Sequence, residues 1–186
     1  LSLSALSALR TGPGYSCLAV PECVYKAVAG RNPECTMTAF PDDGEKIVYD
    51  EEKIKSLFKY DSIAFGMGVG VNENVYKTLS YIIKNYTGNL VVDADGLNAL
   101  SLFGTDILKE KSCKIVLTPH VGEFARLLAK DKEEVLKDPV SIATAFAKEF
   151  GVVLVLKNAV TVITDGEETY INTTGNQGMA KGGSGD

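Results

Sequence analysis

The sequence predicts one α/β domain, with a mostly parallel sheet, helices on both of its faces and an antiparallel extension near the C-terminus. Short apolar runs alternate with amphipathic segments along most of the chain, which is the pattern of strands and helices in turn. The apolar runs are nearly continuous, as in parallel strands that are buried on both faces. The last third contains strand-like runs with short polar breaks, which favours antiparallel pairing.

The N-terminal third predicts two helices and two strands. In the first ten residues, leucine and alanine recur at helical spacing, so we expect a core-facing helix that ends at Gly12 or Gly14. The run "YSCLAV" predicts a strand, "PECVYKAVAG" predicts a helix with Pro21 in its first turn, and "CTMTAF" predicts a second strand.

The remaining chain predicts six strands and four helices between them. The run "DSIAFG" leads into the loop "GMGVG" and a helix after Asn72, and "NLVVDA" and "KIVLT" each precede a further helix. A helix that begins at Pro139 precedes "VVLVLK", "VTVIT" and "TYINT", with a turn at Asp165-Gly166. The residues predicted to be buried in the helices after Asn72 and Pro139 are Val75, Leu79, Ile82 and Ile83, and Ala143, Phe146, Ala147 and Phe150.

The composition excludes several classes of protein. A chain of 186 residues that is 45% hydrophobic suits one domain with a proper core, and its net charge of -5 argues against general nucleic-acid binding. No run reaches the ~18 apolar residues that cross a bilayer, and the opening stretch lacks the basic leader of a signal peptide. The four cysteines show no CxxC spacing, so we expect buried or half-buried free thiols in a reducing, cytoplasmic setting and no zinc site.

Two candidate ligand-binding loops follow the third and fourth strands, because ligands of open α/β sheets lie at the carboxyl ends of strands. In "GMGVG", alternating glycines would let a ligand approach the backbone, although a tight turn explains them equally well and GxGxxG is absent. In "DADGLN", Asp93, Asp95 and Asn98 could hold Mg²⁺ through water or bind ligand hydroxyls. Asp95 could instead cap the helix that follows.

Two more loops contain the groups best suited to chemistry. In "TPHVGE", the single histidine, His120, lies beside Glu123 at the predicted ligand edge, which favours a functional role over a structural one. In "GGSGD", successive backbone N–H groups can form an anion nest, strengthened if a helix begins there. Asp186 would be repelled by a phosphate, so its predicted role is to take a proton from an attacking hydroxyl. The alternative is a flexible tail; a Walker loop is absent.

Together these stretches resemble the ADP- or ATP-dependent NAD(P)H-hydrate dehydratases of the ribokinase-like superfamily. The motifs that carry the resemblance are "ALRTGPG", "GMGVG", "DADGLN", "LTPHVGE", "VLKNAVTVI" and "GNQGMAKGGSGD", in order and at natural spacing from Leu6 to Asp186. The resemblance implies a three-layer sandwich in one domain, residues 1–186, that is cut at both ends. It also implies repair of NADHX and NADPHX through phosphorylation of the 6-hydroxyl and loss of phosphate.

The resemblance also implies site residues by motif. Asp186 would be the catalytic base, and no metal-ligating residue is implied. The residues implied to contact the hydrated cofactor are Gly68, His120, Asn176 and Asp186. The residues implied to contact the nucleotide are Lys157, Asn158, Ala159, Val160 and Thr161, together with Gly182, Gly183, Ser184 and Gly185.

The implied cosubstrate is ADP or ATP as the phosphoryl donor, with Mg²⁺. A homo-oligomer is expected, and an NAD(P)HX epimerase domain outside these residues is a further expected partner. The chain departs from the family pattern at Met67 and Val69, where proline and leucine are common, and at Asn158, where glycine is common. Because asparagine tolerates positive φ better than most residues, this affects loop detail rather than the expected function.

Two other functions fit the same motifs. One is a small-alcohol kinase of the same superfamily that acts on a vitamin precursor, although "TPHVGE" argues against it. The other is a non-catalytic nucleotide-binding module, against which the intact "GGSGD" argues. The sequence leaves open whether ADP or ATP is the donor.

Overall fold

The structure is a computed structural model that describes residues 2–31 and 33–179. The helices are α1 (Ser2–Arg10), α2 (Glu22–Ala29), α3 (Glu51–Ser56), α4 (Glu73–Asn85), α5 (Asp95–Phe103), α6 (Val121–Leu127), α7 (Lys132–Lys137) and α8 (Pro139–Phe150). The strands are β1 (Cys17–Pro21), β2 (Thr36–Phe40), β3 (Ser62–Phe65), β4 (Asn89–Val92), β5 (Lys114–Leu117), β6 (Val153–Leu156), β7 (Thr161–Thr164) and β8 (Thr169–Asn172). Short 3₁₀ helices span Asp106–Glu110 and Gln177–Met179.

Strands β3 to β8 form a six-stranded sheet in the order of the sequence. The pairs β3–β4, β4–β5 and β5–β6 are parallel, whereas β6–β7 and β7–β8 are antiparallel. The predicted antiparallel extension is therefore confirmed. Because β8 runs parallel to β6, the chain leaves β8 at the same edge of the sheet where β3 to β6 end.

Strands β1 and β2 pair in parallel with each other and form a separate two-stranded sheet within the described residues. The sequence predicted them as the first strands of one continuous sheet, which is a difference from the structure. A small cluster of Ala5, Leu18 and Val20 holds this unit together. Apolar content alone identifies a strand but does not specify its partner, because pairing depends on register and chain connection.

One face of the larger sheet is buried across β4 to β7. Leu90 and Val92 of β4, Ile115 and Leu117 of β5, and their counterparts on β6 alternate with half-buried residues on the other face. The apolar stripes of α4 and α8 join the same core. The helix residues predicted to be buried are all buried: Val75, Leu79, Ile82, Ile83, Ala143, Phe146, Ala147 and Phe150.

Several local predictions need correction. Pro21 is the last residue of β1 and the N-cap of α2, and does not lie within the helix. Helices α3 and α7 were not predicted, because each has six residues and mostly charged side chains, which leaves no clear apolar stripe. Cys23 is exposed, whereas Cys17 and Cys35 are half-buried and Cys113 is buried; all four are free thiols. In the described part of the chain, no helix is long and apolar enough to cross a membrane.

Candidate active site at the carboxyl edge of the sheet

The loops after β3, β4 and β5 meet at one edge of the sheet, as the sequence predicted, and the loop after β6 lies beside them. The fourth loop predicted at this edge, "GGSGD", lies outside the described residues. Asp93, which follows β4, donates its backbone N–H to the carbonyl of Phe65 on β3 at 3.0 Å. Thr118, which follows β5, donates its N–H to Val92 at 3.1 Å, and Lys157, which follows β6, donates to Pro119 at 2.8 Å. These bonds continue the parallel ladder past the strand ends and fix the four loops against each other.

The glycine loop after β3 contains one closely packed glycine, Gly66, and one open glycine, Gly68. A Cβ at Gly66 would lie 1.9 Å from the carbonyl oxygen of Asp93, and φ is +117° there, so only glycine fits. Gly68 has φ of +70° and nothing within 4 Å of such a Cβ, so its backbone is open to a ligand. The two explanations offered by the sequence, tight turn and ligand approach, therefore apply to different glycines of one loop.

The two aspartates of "DADGLN" both bind protein groups. Asp93 forms an ion pair with Lys157, with 3.0 Å between Oδ1 and Nζ and 3.1 Å between Oδ2 and Nζ. Asp95 accepts the N–H of Gly70 through Oδ2 at 2.8 Å. The N-cap of α5 is Ala94, so the alternative in which Asp95 caps this helix is wrong. Asn98 accepts two hydrogen bonds from the guanidinium of Arg126, at 2.9 and 3.2 Å.

His120 is the N-cap of α6 and also faces solvent. Its Nδ1 accepts the backbone N–H groups of Gly122 and Glu123, at 2.9 and 3.3 Å, while Glu123 accepts the N–H of His120 at 2.9 Å. This reciprocal capping box requires an unprotonated Nδ1, so the neutral ring carries its proton on Nε2. The side chain is 54% exposed, and its Nε2 lies 3.6 Å from Oε2 of Glu123.

Glu123 has the opposite environment, because its side chain is 8% exposed. Its carboxylate accepts the backbone N–H of His120 and thereby fixes the start of α6. The sequence placed the two residues together for a possible chemical role, and the structure gives Glu123 the role of holding His120 in position. Only His120 of this pair is exposed enough to reach a ligand.

Residues 157–160 form the hairpin between β6 and β7. Asn158, Ala159 and Val160 are exposed, whereas Lys157 and Thr161 are half-buried. An apolar pocket of ≈ 120 Å³ opens beside this hairpin. Its lining residues are Val121, Pro139, Val140, Leu156, Asn158, Val160, Val162 and Ile171. The hairpin thus offers one cation and a small apolar surface side by side.

The remaining predicted site residues follow β8 in the sequence. Asn176 is exposed, follows β8 at the carboxyl edge, and uses its Oδ1 to accept the N–H of Gly178 at 2.9 Å. Gly182, Gly183, Ser184, Gly185 and Asp186 lie outside the described residues. Within residues 2–31 and 33–179, no three His, Cys, Asp or Glu side chains form a group that could hold a metal ion.

The sequence motifs and the fold can now be compared with known proteins. A family model described as NAD(P)H-hydrate dehydratase matches residues 1–186. The chain belongs to this family. The match covers the whole chain and confirms the resemblance that the motifs indicated.

Members of the dehydratase family from distant organisms align with nearly the whole chain. The bifunctional NAD(P)H-hydrate repair enzyme Nnr of Thermofilum pendens is 37% identical over 188 residues, which are 99% of this chain and 36% of that protein. The enzyme of the same name from Moorella thermoacetica is 36% identical over 191 residues, again 36% of its length. The chain therefore spans about a third of the length of the curated relatives that it matches.

Solved structures of similar proteins show the same fold. The ADP/ATP-dependent NAD(P)H-hydrate dehydratase of Bacillus subtilis, co-crystallized with ATP/Mg²⁺, gives a TM-score of 0.78 at 29% identity and covers 99% of this chain and 62% of that one. A ribokinase-like superfamily protein from Enterococcus faecalis gives 0.74 at 22% identity, with 98% and 61% covered. The predicted ribokinase-like α/β class is confirmed.

Proposed function

We propose that the complete protein converts the hydrated cofactors NADHX and NADPHX back to NADH and NADPH, with ADP or ATP as phosphoryl donor. The observation that carries this proposal is the meeting of the open Gly68 backbone, His120 and Lys157 at one edge of the sheet, in a chain of the dehydratase family. The edge offers backbone, imidazole and ammonium groups in one place, as a site for two phosphorylated ligands requires.

The chemistry divides a difficult dehydration into two easier steps. The 6-hydroxyl of the hydrate attacks the terminal phosphorus of the nucleotide, its proton passes to Asp186, and the shortened nucleotide leaves. The ring nitrogen then donates its electron pair as the C6–O bond breaks and phosphate leaves, and loss of a proton from C5 restores the double bond. Phosphate leaves far more readily than hydroxide, so one kinase-type site serves both stages.

The described residues would hold the hydrated cofactor from two sides. His120 offers the exposed part of its imidazole ring, whose orientation is fixed by the capping box. Gly68 offers a backbone that a ligand can approach without meeting a side chain. Asn176 leaves the sheet at the same edge, and we propose it as a weaker third contact.

The hairpin after β6 would hold the nucleotide. Lys157 supplies a positive charge for phosphate. The pocket beside Asn158 and Val160 is apolar, and its volume is of the order of that of one flat ring. Ala159 and Thr161 complete the stretch, and we propose Gly182, Gly183, Ser184 and Gly185 as the anion nest for the phosphates. Since Asp93 and Asp95 already bind protein groups, Mg²⁺ would be held chiefly by nucleotide oxygens and water, as is usual for this ion.

The protein's other expected properties remain proposals. We propose a homo-oligomer in a reducing cytoplasm, in keeping with four free thiols, and an NAD(P)HX epimerase domain as a partner. Some relatives are described as bifunctional, which supports the last of these.

The proposal is tested by following the absorbance of NADH as the full-length protein acts on NADHX with ADP, with ATP or with neither. We expect NADH to form in the presence of one nucleotide, with phosphate released in equal amount. A stable phosphorylated product from a thiazole or pyrimidine alcohol, without NADH formation, would support the vitamin-precursor kinase. The family match does not favour that alternative. Nucleotide binding without either product would indicate a non-catalytic module.

A further inference from the structure

The residues Asp93–Gly96 form a tight turn between β4 and α5 that carries local strain. Gly96 donates its N–H to the carbonyl of Asp93 at 3.0 Å, and Ala94 has φ of 50° and ψ of -119°. These angles are those of the second position of a type II′ turn, where glycine is usual. A strained non-glycine residue persists where the surroundings hold it in place, and such positions cluster at functional sites.

The two carboxylates of the strained turn bind different loops. Asp93 accepts the N–H of Ala94 at 2.8 Å and pairs with the ammonium of Lys157, with its side chain 20% exposed. Asp95 accepts the N–H of Gly70, and its own N–H binds the carbonyl of Gly66 at 3.0 Å. One carboxylate thus reaches the hairpin after β6 and the other reaches the glycine loop after β3.

Neither carboxylate is free to serve as a ligand group in the way the sequence suggested. Both oxygens of Asp93 contact the Lys157 ammonium, so this carboxylate is already paired with a protein group. Asp95 closes the glycine loop on both sides of Gly68, which is the position left open to a ligand. The contacts of these residues therefore shape the site indirectly.

We propose that Asp93 and Asp95 are positioning residues, each for a different ligand. Asp93 holds the Lys157 side chain in place for the nucleotide phosphates, and Asp95 holds the loop from Gly66 to Gly70 in place for the hydrated cofactor. This inference rests on the proposed function. It adds that the two carboxylates of one turn serve different ligands, because each one binds a different loop.

The test for Asp95 compares two substitutions in the full-length protein. Asp95→Ala removes the acceptor for the Gly70 N–H, so the KM for NADHX should rise about tenfold, within the range for coupled groups in one network, while the nucleotide KM stays within about twofold. Asp95→Asn keeps an oxygen that accepts this N–H and should restore the KM for NADHX to within about threefold of wild type. An equal rise in both KM values for Asp95→Ala would overturn the proposal for this residue.

The test for Asp93 is a double-mutant cycle with Lys157. Asp93→Asn should raise the nucleotide KM about tenfold in the wild-type background and have almost no further effect when Lys157 is already Met, because Asp93 acts through Lys157. Additive effects in the double variant would contradict this. Asp106→Asn is the matched control, since Asp106 also pairs with a lysine, Lys109, at 3.1 Å but follows α5 away from the site.

Failure of this proposal can be told apart from failure of the proposed function. If the wild-type protein forms no NADH from NADHX, the proposed function fails. The double-mutant cycle of Asp93 and Lys157 is then carried out with nucleotide affinity, measured by calorimetry, in place of the nucleotide KM. Melting temperatures of all variants identify a substitution that acts by unfolding. An Asp93→Asn or Asp95→Ala variant that melts near the wild-type temperature and shows no selective loss would refute the positioning role.

Discussion

His120 and Lys157 lie side by side in a parallel bridge, where the N–H of Lys157 donates to the carbonyl of Pro119 at 2.8 Å. The bridge extends the pairing of β5 and β6 beyond the strand ends. It makes the proposed cofactor contact and the proposed nucleotide contact neighbours, as phosphoryl transfer between two ligands requires. The two residues follow the adjacent strands β5 and β6.

We expect His120→Ala to weaken binding of the hydrated cofactor more than binding of the nucleotide. The substitution removes the partly exposed imidazole ring and also the cap of α6, and loss of the cap costs about 1 kcal/mol of stability. His120→Asn separates the two effects, because asparagine is a good N-cap without an imidazole. Titration of each variant with NADHX and with nucleotide checks the prediction. A larger loss of nucleotide affinity in both variants would show that His120 belongs to the nucleotide site.

Gly66→Ala should destabilise the protein by roughly 3 kcal/mol or more, because its Cβ would overlap backbone atoms of the turn after β4. The control is Gly68→Ala, which also has positive φ but meets nothing within 4 Å and should cost about 1 kcal/mol. Urea unfolding of both variants measures the difference. Similar losses at the two positions would mean that the loop yields to accommodate the methyl group at Gly66.

Ala94→Gly should stabilise the protein by about 1 kcal/mol. Glycine adopts the observed φ of 50° without the strain of a Cβ, which outweighs its greater freedom in the unfolded chain. Thermal unfolding measures the change, and Ala99→Gly within α5 serves as the control that should destabilise. A lower melting temperature for Ala94→Gly would show that the turn is not strained.

Asp138 should make the start of α8 sensitive to acid. Its side chain accepts the N–H of Ser141 at 3.1 Å, and hydrogen bonds from Ser141 hold the pKa of this carboxyl below its ordinary value of 3.8. A carboxyl whose pKa is lowered by folding stabilises the folded protein at pH values above its ordinary pKa. This stabilisation is lost as the pH falls through the lowered pKa. Asp138→Asn keeps a cap at every pH, so its melting temperature should fall less between pH 7 and acid than that of wild type. An equal fall in the melting temperature of both proteins would show that Asp138 does not cause the sensitivity to acid.

The elements with strong periodicity could be predicted from the sequence. The faces of α4 and α8 follow from apolar residues three and four positions apart, and the edge of the site follows from the rule for strand ends. The partner of β1 could not be predicted, because residue types do not specify pairing. Helix α7 was missed because Val135 is its single buried residue.

The candidate site could be located from the sequence, but its internal contacts could not. Gly68, His120 and Lys157 were named by motif, and the structure places them at one edge. The ion pair between Asp93 and Lys157 joins residues 64 positions apart, and no local pattern indicates such a contact. That His120 caps a helix is visible in the sequence only as the Glu three residues later, which is half of a capping box.

The most direct test of the central claim is the turnover of NADHX by full-length Asp186→Asn with saturating nucleotide. If Asp186 is the base, the isosteric amide leaves the fold and nucleotide affinity nearly intact, and affinity can rise because a negative charge near phosphates is lost. Turnover should fall about 10²–10⁴-fold, the usual contribution of a positioned base. Turnover within about threefold of wild type, with a lower melting temperature of the kind that loss of a helix cap gives, would contradict the account.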